Sequence, residues 1–217
     1  MSQTEQALAR LREMIFSGEL PPASNHFEAD LAAQLGMSRT PIREAALTLQ
    51  AQGLVDVQPR RGLWVRPVSA EDMAHIYDVL GELECLAAQR AAEKGYSATE
   101  LQPLSDAIAM MQNSLIAGDR GTWAEADDAF HAELVRLGGN PFTAEIRAKY
   151  TDRVRRVRLM TLQLRPLPTR SNEDHANLLK AIAEHDPPRA KRIHHAHCAA
   201  TKEMMVGLIR SSGLRAL

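Results

Sequence analysis

Histidines and acidic residues in the second half of the chain stand at spacings that suit a metal ion. Eight histidines occur in all. Asp127 and His131 lie four residues apart, so a helix would project both side chains from one face. Asp128 lies three residues from His131 and also fits this geometry, so the spacing leaves the choice of carboxylate open.

A second pair of histidines brackets a chain reversal at Asp186 and Pro187. His175 stands 11 residues before Asp186, and His197 stands 11 residues after it. Because an α-helix rises about 1.5 Å per residue, a helix into the turn and a helix out of it return the chain to the same level. We therefore expect His175 and His197 to face each other across a helical hairpin.

His194 lies on roughly the same face as His197 and one turn nearer the reversal, whereas His195 points elsewhere. One aspartate and three neutral imidazoles make a nitrogen and oxygen site for a divalent metal ion, zinc first, with nickel, manganese and iron as alternatives. Such a site can keep positions open for water or for the carboxylate of an effector. We expect His194 beside those positions as an effector-binding residue.

A different chemistry is indicated near residue 40. Apolar residues at helical spacing predict a buried stripe: Ile42, Ala45, Ala46 and Leu49. Arg39, Thr40 and Arg43 fall on the other side of the same helix. Arginine there can donate two parallel hydrogen bonds to guanine O6 and N7, and Thr40 can reach a phosphate or a base edge. Ser38 can cap the helix and direct its backbone N–H groups at a phosphate.

Three helices and a hairpin are predicted to position these residues. Periodicity and punctuation by glycine and proline predict helices at about 4–17, 27–35 and 39–52. Alternation of apolar and polar residues predicts two strands, at 54–58 and 63–66. The turn between them carries Arg60, Arg61 and Gly62, which suit the DNA backbone or the minor groove. This order of elements is typical of a winged helix-turn-helix.

The rest of the chain reads as helix. Six helices are predicted, at about 70–94, 98–117, 121–137, 141–164, 170–185 and 187–211. Helices of this length pack as an antiparallel bundle. The expected fold is mainly α, with an N-terminal winged helix-turn-helix over residues 1–68 and a C-terminal six-helix antiparallel bundle over residues 69–217.

Composition excludes several classes of protein. The 26 basic and 27 acidic residues leave a net charge of -1, so any nucleic-acid surface must come from local placement. The two cysteines, Cys85 and Cys198, show no disulfide or zinc-knuckle spacing. The sequence shows no signal-peptide core and no apolar run long enough to cross a membrane. We expect a soluble, cytoplasmic protein with no membrane partner.

Residues 5–68 resemble the GntR family of bacterial transcription regulators. The stretches that carry the resemblance are SGELPP, LAAQLGMSRTPIREAALTLQAQGLV and QPRRGLWV. The resemblance implies that Arg39, Thr40 and Arg43 contact bases and phosphates. It places the DNA-contacting wing at residues 60–62.

Residues 70–211 resemble the effector domain of the FadR-type branch of that family, often called the FCD domain. The matching stretches are DDAFHAEL, NEDHANLLKAIAEHD and RAKRIHHAHCAATK, and six helices resemble the VanR-like subgroup. The resemblance implies four metal ligands: Asp127, His131, His175 and His197. It also implies that the metal anchors a small carboxylate-bearing effector inside the bundle.

The chain departs from the family pattern at a few positions. Ala23 replaces the glycine that is usual after the two prolines, and this weakens a turn. Leu47 and Thr48 stand where basic residues are common, which alters phosphate contacts. Leu80 replaces an arginine that often contacts the effector. Four arginines of the fourth bundle helix are candidate substitutes, and we take Arg153 and Arg156 as the effector-binding pair: Arg153, Arg155, Arg156 and Arg158.

Together these features predict a homodimeric repressor with one winged module on each half-site of a pseudo-palindromic operator in double-stranded DNA. A small organic acid bound at the metal would alter operator affinity. Two other interpretations remain open. The bundle could serve only structure or dimerisation, or an open metal site could activate water in a hydrolase. No clear general base stands beside the ligands, so we do not expect an enzyme.

Overall fold

Capping residues set where the first helix of the computed structural model begins and ends; the structure describes residues 1–211. Helix α1 (Gln3–Ser17) begins with a capping box. The Ser2 hydroxyl accepts from the N–H of Glu5, and the Glu5 carboxylate accepts from the N–H of Ser2. Gly18 ends the helix with a left-handed φ of 83°.

The other N-terminal elements follow the predicted order with one addition. They are β1 (Asn25–His26), α2 (Glu28–Leu35), α3 (Arg39–Ala51), β2 (Val55–Gln58) and β3 (Gly62–Val65). Strand β3 lies between β1 and β2 and is antiparallel to both. The sequence does not predict β1, because a strand of two residues carries no alternation to detect.

One glycine lets the wing close against β1. Gly62 has a φ of 82°, and a Cβ at this position would lie 2.2 Å from the carbonyl oxygen of His26. Only glycine therefore permits this approach of two backbone segments. Arg60 also adopts a left-handed φ, of 63°, and completes the turn between β2 and β3.

The three N-terminal helices and the wing share an apolar core. The predicted stripe on α3 is confirmed, since all four of its side chains are fully buried: Ile42, Ala45, Ala46 and Leu49. They pack against Leu11 of α1 and Leu63 of β3. Burial of this stripe turns the opposite side of α3, which carries the two arginines, toward solvent.

Within residues 1–211, six helices follow the wing, which confirms the predicted number. They are α4 (Ala70–Lys94), α5 (Gln102–Ala117), α6 (Arg120–Gly138), α7 (Pro141–Met160), α8 (Thr169–Ala183) and α9 (Pro187–Ser211). Helix α7 ends four residues before its expected end at 164, ahead of a short turn and Pro166. The described chain is thus mainly helical with a small N-terminal sheet, as the fold prediction requires.

The helical region has a separate core of aliphatic and aromatic side chains. Phe130 and Leu134 of α6 pack with Met111 of α5 and Ile182 of α8, all fully buried. The indole N–H of Trp123 donates to Asn172 Oδ1 at 2.8 Å inside this core. A buried polar side chain that keeps its hydrogen bond fixes the register of α6 against α8.

The described chain forms two compact units that interleave along the sequence. The first contains residues Met1–Ala70, Lys149–Met160 and 209–211, and the second contains Glu71–Ala148 and Thr161–Leu208. Within the first unit, Arg12 Nε lies 2.9 Å from Asp152 Oδ2. Arg156 Nη1 donates to the carbonyl oxygen of Arg66 at 2.7 Å. These contacts attach the last three turns of α7 to the winged module.

Among residues 1–211, no helix combines the length and the apolar character that crossing a lipid bilayer would require.

Replacing Gly138 with alanine should destabilise the helical unit. A Cβ at Gly138 would lie 2.6 Å from Ala87 Cα, so α4 and α6 would have to separate, at a cost of about 1–3 kcal/mol. The matched control is Gly207→Ala, since a Cβ there meets nothing within 4 Å and alanine favours helix. Thermal unfolding followed by circular dichroism should show a lower Tm for Gly138→Ala only. Equal Tm values for the two variants would contradict this packing.

Candidate DNA-binding surface and metal centre

The exposed side of α3 carries the residues predicted to read DNA. Arg39, Thr40 and Arg43 are all exposed, while Pro41 and Ile42 between them are buried. The Arg39 side chain is 70% exposed and lies 3.7 Å from Glu28 Oε2. An ion pair of 3.7 Å with an exposed guanidinium group is weak, so Arg39 can leave it for a phosphate or a guanine.

Ser38 occupies the predicted N-cap position of α3 but does not cap it. Its backbone is extended, with φ of -75° and ψ of 165°, and its side chain makes no capping hydrogen bond. Both the hydroxyl group and the amides of the first turn can therefore serve an incoming phosphate. The sequence predicts that the Ser38 side chain caps α3, and the structure does not contain that hydrogen bond.

The wing is held at a fixed position beside α3. The N–H of Val57 in β2 donates to Gln50 Oε1 of α3 at 2.6 Å. Arg60 and Arg61 at the turn are exposed, and the N–H of Arg61 donates to the carbonyl oxygen of Gln58 at 3.1 Å. The first unit thus presents exposed arginines at two places, the start of α3 and the wing tip.

The helical unit brings the predicted metal ligands together. Asp127 and His131 project from one face of α6, and Asp127 Oδ1 lies 3.7 Å from both His131 Nε2 and His175 Nε2. A ligand atom from each of three rings lies within 4.8 Å of the others: His131, His175 and His197. All four residues are buried. Spacing alone could not choose between the two aspartates; Asp127, the buried one, faces the rings.

Carboxylates lie beside the Nδ1 atoms of two of these rings. Glu84 Oε2 lies 3.0 Å from His131 Nδ1, and Asp174 Oδ2 lies 3.4 Å from His197 Nδ1. A carboxylate at Nδ1 favours the tautomer that leaves the Nε2 lone pair available to an ion. Metal-binding histidines commonly have such partners, which fix the orientation of the ring.

Sequence reasoning missed Glu84. It is buried on α4, and its Oε1 accepts from Arg147 Nε of α7 at 3.2 Å. His194 Nε2 lies 3.3 Å from Glu84 Oε2. Burial by itself would raise the pKa of Glu84, but His131 and His194 outweigh that effect and hold the pKa well below its ordinary value. Glu84 is therefore a buried carboxylate with partners on three other helices.

Burial keeps two histidines of the helical unit, His175 and His194, neutral. It lowers the pKa of His175 well below its ordinary value, with Asp127 acting in the opposite direction. Burial also lowers the pKa of His194 to about 4, against the effect of Glu84. A neutral imidazole keeps a lone pair for a metal ion.

The residues present fit a divalent metal ion. Neither ring nitrogen of His175 has a hydrogen-bond partner among residues 1–211, and the side chain is 1% exposed. An unsatisfied buried ring costs free energy, which coordination would recover. An ion about 2.1 Å from two ligand atoms keeps them no more than about 4.2 Å apart. The separations of 3.7 Å between Asp127 and two of the rings meet this limit.

The residues predicted to bind an effector are placed differently from one another. His194 lies in the second unit, beside Glu84. Arg153 and Arg156 belong to the first unit, where the Arg153 side chain lies against Gly53 and Arg156 donates to Arg66. Burial lowers the pKa of Arg156 to about 10. Among the arginines of α7, Arg147 is the one whose side chain reaches Glu84 of the histidine cluster.

Comparison with known proteins agrees with both halves of this description. Residues 3–65 match the family described as bacterial regulatory proteins, gntR family, and residues 75–200 match the FCD domain. An HTH-type transcriptional regulator of Agrobacterium vitis is 39% identical over 127 residues, which cover 58% of this chain and 74% of the relative. A probable D-xylose utilization operon transcriptional repressor of Paenarthrobacter nicotinovorans is 28% identical over 187 residues, 86% of this chain and 81% of that protein.

A solved structure shows the same fold. The transcriptional regulator from Rhodococcus sp. RHA1 superposes with a TM-score of 0.78 at 22% identity, covering 95% of this chain and 99% of that one. A winged helix-turn-helix joined to an FCD domain defines a DNA-binding transcription regulator, and not an enzyme. The chain belongs to the GntR family, in the FadR-type branch that carries an FCD effector domain.

Substitutions on α3 and on the wing should weaken DNA binding in different ways. Arg43→Ala should cost about 1–3 kcal/mol and relax base preference, whereas Arg61→Ala should weaken all sequences alike and lower the salt slope by about 1. The control is Arg192→Ala, which removes the same charge from an exposed position of α9. Fluorescence anisotropy against an operator selected from random duplexes measures all three. Unchanged base preference in Arg43→Ala would refute the assignment of α3 as the reading helix.

Proposed function

We propose that this regulator is a repressor whose affinity for operator DNA is controlled by a small carboxylate-bearing metabolite, bound at a divalent metal ion in the helical unit. Asp127, His131, His175 and His197 hold the ion. Zinc is the first candidate, and nickel, manganese or iron would suit the same donors. The six helices that follow the wing within residues 1–211 agree in number with the VanR-like subgroup, and this supports the proposal.

One observation carries the metal part of the proposal: a buried histidine, His175, whose ring nitrogens have no hydrogen-bond partner among the described residues. It lies with two other imidazoles and a buried carboxylate. A bundle meant only for packing would favour apolar residues here, because burying unsatisfied polar groups is costly. This argument favours a ligand-binding bundle over a purely structural one.

The ion would supply a Lewis-acidic position for an effector carboxylate. The protein's own residues supply its setting. Glu84 and Asp174 orient the rings of His131 and His197, and the surrounding core excludes water. Arg147 brings a guanidinium group beside Glu84, and His194 remains our candidate for direct contact with the effector. Arg153 and Arg156 stay predictions from the sequence.

In the winged module, the exposed residues of α3 and of the wing would contact one half-site of the operator. We propose that these are Ser38, Arg39, Thr40, Arg43, Arg60, Arg61 and Gly62. A homodimer would place two such modules on a pseudo-palindromic operator. Binding coupling is reciprocal, so effector and operator must change each other's affinity by the same factor. The name of the Paenarthrobacter relative, a repressor, supports repression rather than activation.

The metal site can be tested with two histidines of one helix. His197→Ala should lose the bound ion, because His197 is buried in the cluster. His195→Ala should keep it, because the His195 side chain is 63% exposed and lies 3.8 Å from Glu82. Elemental analysis and native mass spectrometry of the purified proteins give metal content and oligomeric state together. Equal metal content in the two variants would support a structural bundle instead.

The effector can be tested by titrating operator with metal-loaded protein and a panel of small carboxylic acids. Couplings between sites commonly reach about 5–150-fold in affinity, and we expect at least one acid to change operator affinity within that range. His175→Ala should bind the same operator without any response to that acid. No response from the wild-type protein to any member of a broad panel would count against a carboxylate effector.

A further inference from the structure

A second group of metal-binding side chains lies beside the histidine cluster and differs from it in chemistry. It consists of Glu84, His194 and Cys198, and a ligand atom from each lies within 4.8 Å of the others. The first cluster offers only nitrogen and oxygen. This second group adds a thiol, which binds soft and borderline cations once it is deprotonated.

Helix geometry places these groups together. His194 and Cys198 are four residues apart on α9, so both project from one face. Gly81 on α4 lets α9 approach closely, since a Cβ at Gly81 would lie 3.3 Å from Cys198 Cβ. One turn along α4, Glu84 belongs to the same group as Cys198, and the neighbouring Cys85 interacts with the Cys198 thiol. Glycine at position 81 thus lets the Cys198 side chain lie against α4, next to Glu84 and the thiol of Cys85.

An unsatisfied buried atom indicates that this group takes a ligand. His194 is 0% exposed, and its Nδ1 has no hydrogen-bond partner within residues 1–211. Its Nε2 lies 3.3 Å from Glu84. Coordination of one of the ring nitrogens would offset the cost of burying the ring. Cys198 is half-buried, so the group is less enclosed than the three histidines of the first cluster.

We propose that Glu84, His194 and Cys198 form a second cation site, for a thiophilic divalent ion of the zinc class, with Cys85 as an additional sulfur ligand. Binding converts the Cys198 thiol to a thiolate, and its proton passes to the solvent. The site goes beyond the proposed effector site and does not depend on it. The two share Glu84 and His194, so a cation there would also change the support of His131 and would occupy the imidazole that we propose for the effector.

Cobalt(II) distinguishes the two sites, because thiolate ligation produces a sulfur-to-cobalt charge-transfer band in the near ultraviolet. Metal-free full-length protein should develop this band on titration with Co²⁺. Cys198→Ser should lose it, and Cys85→Ser should weaken it. His175→Ala should retain it while losing the ion of the nitrogen and oxygen site. Absence of the band from wild-type protein, or its persistence in Cys198→Ser, overturns the proposal.

A measurement on the unmodified chain covers the case in which Cys198→Ser does not fold. Zn²⁺ should protect Cys198 from alkylation by iodoacetamide, read by peptide mass spectrometry, because coordination occupies the nucleophilic sulfur. Mg²⁺, which prefers oxygen ligands, should give no protection. Equal alkylation with and without Zn²⁺ contradicts the thiol site. Loss of one metal ion per chain from His197→Ala, with the cobalt band intact, would show that the two sites bind metal separately.

Discussion

The polar interior of the helical unit depends on one buried carboxylate. Glu84 is buried, and an uncompensated negative charge at a buried position would cost several kcal/mol. Arg147 of α7, His131 of α6 and His194 of α9 surround it, so four helices must meet at the right level for the charge to be compensated. The imidazole of His131, which faces both Glu84 and Asp127, takes its orientation from that requirement. The packing of the bundle and the geometry of the histidine cluster therefore depend on each other.

Small residues make this meeting of helices possible. Gly138 lets α6 approach Ala87 of α4, and Gly81 lets α9 approach the same helix. These close contacts fix the positions of α6 and α9 against α4, and so set the distances between the histidine and acidic side chains that the three helices carry. The apolar core of Phe130, Leu134 and their neighbours lies next to these side chains. The helical unit thus combines an apolar core with a layer of buried histidine and acidic side chains.

The periodic spacing of residues along the helices accounts for much of the fold that the sequence predicts. The stripe on α3, the pairing of Asp127 with His131, and the matched levels of His175 and His197 all follow from the repeat of the α-helix. Glu84 has no such signal, because its partners Arg147 and His194 lie 63 and 110 residues away in sequence. For the same reason, the sequence does not predict that residues 149–160 belong to the first unit. Strand β1 is too short for any periodic pattern, and the unformed cap at Ser38 depends on side-chain rotation.

The connection after the two prolines has a consequence for how the winged module opens. Ala23 holds a φ of 59°, in the left-handed region that favours glycine, and its N–H donates to the carbonyl oxygen of Val65 at 2.8 Å. Left-handed alanine costs roughly 1–2 kcal/mol, so the pairing of β1 with β3 keeps this segment under conformational tension. Fraying of β1 would relax that tension, and this short strand is the natural starting point for local unfolding of the module.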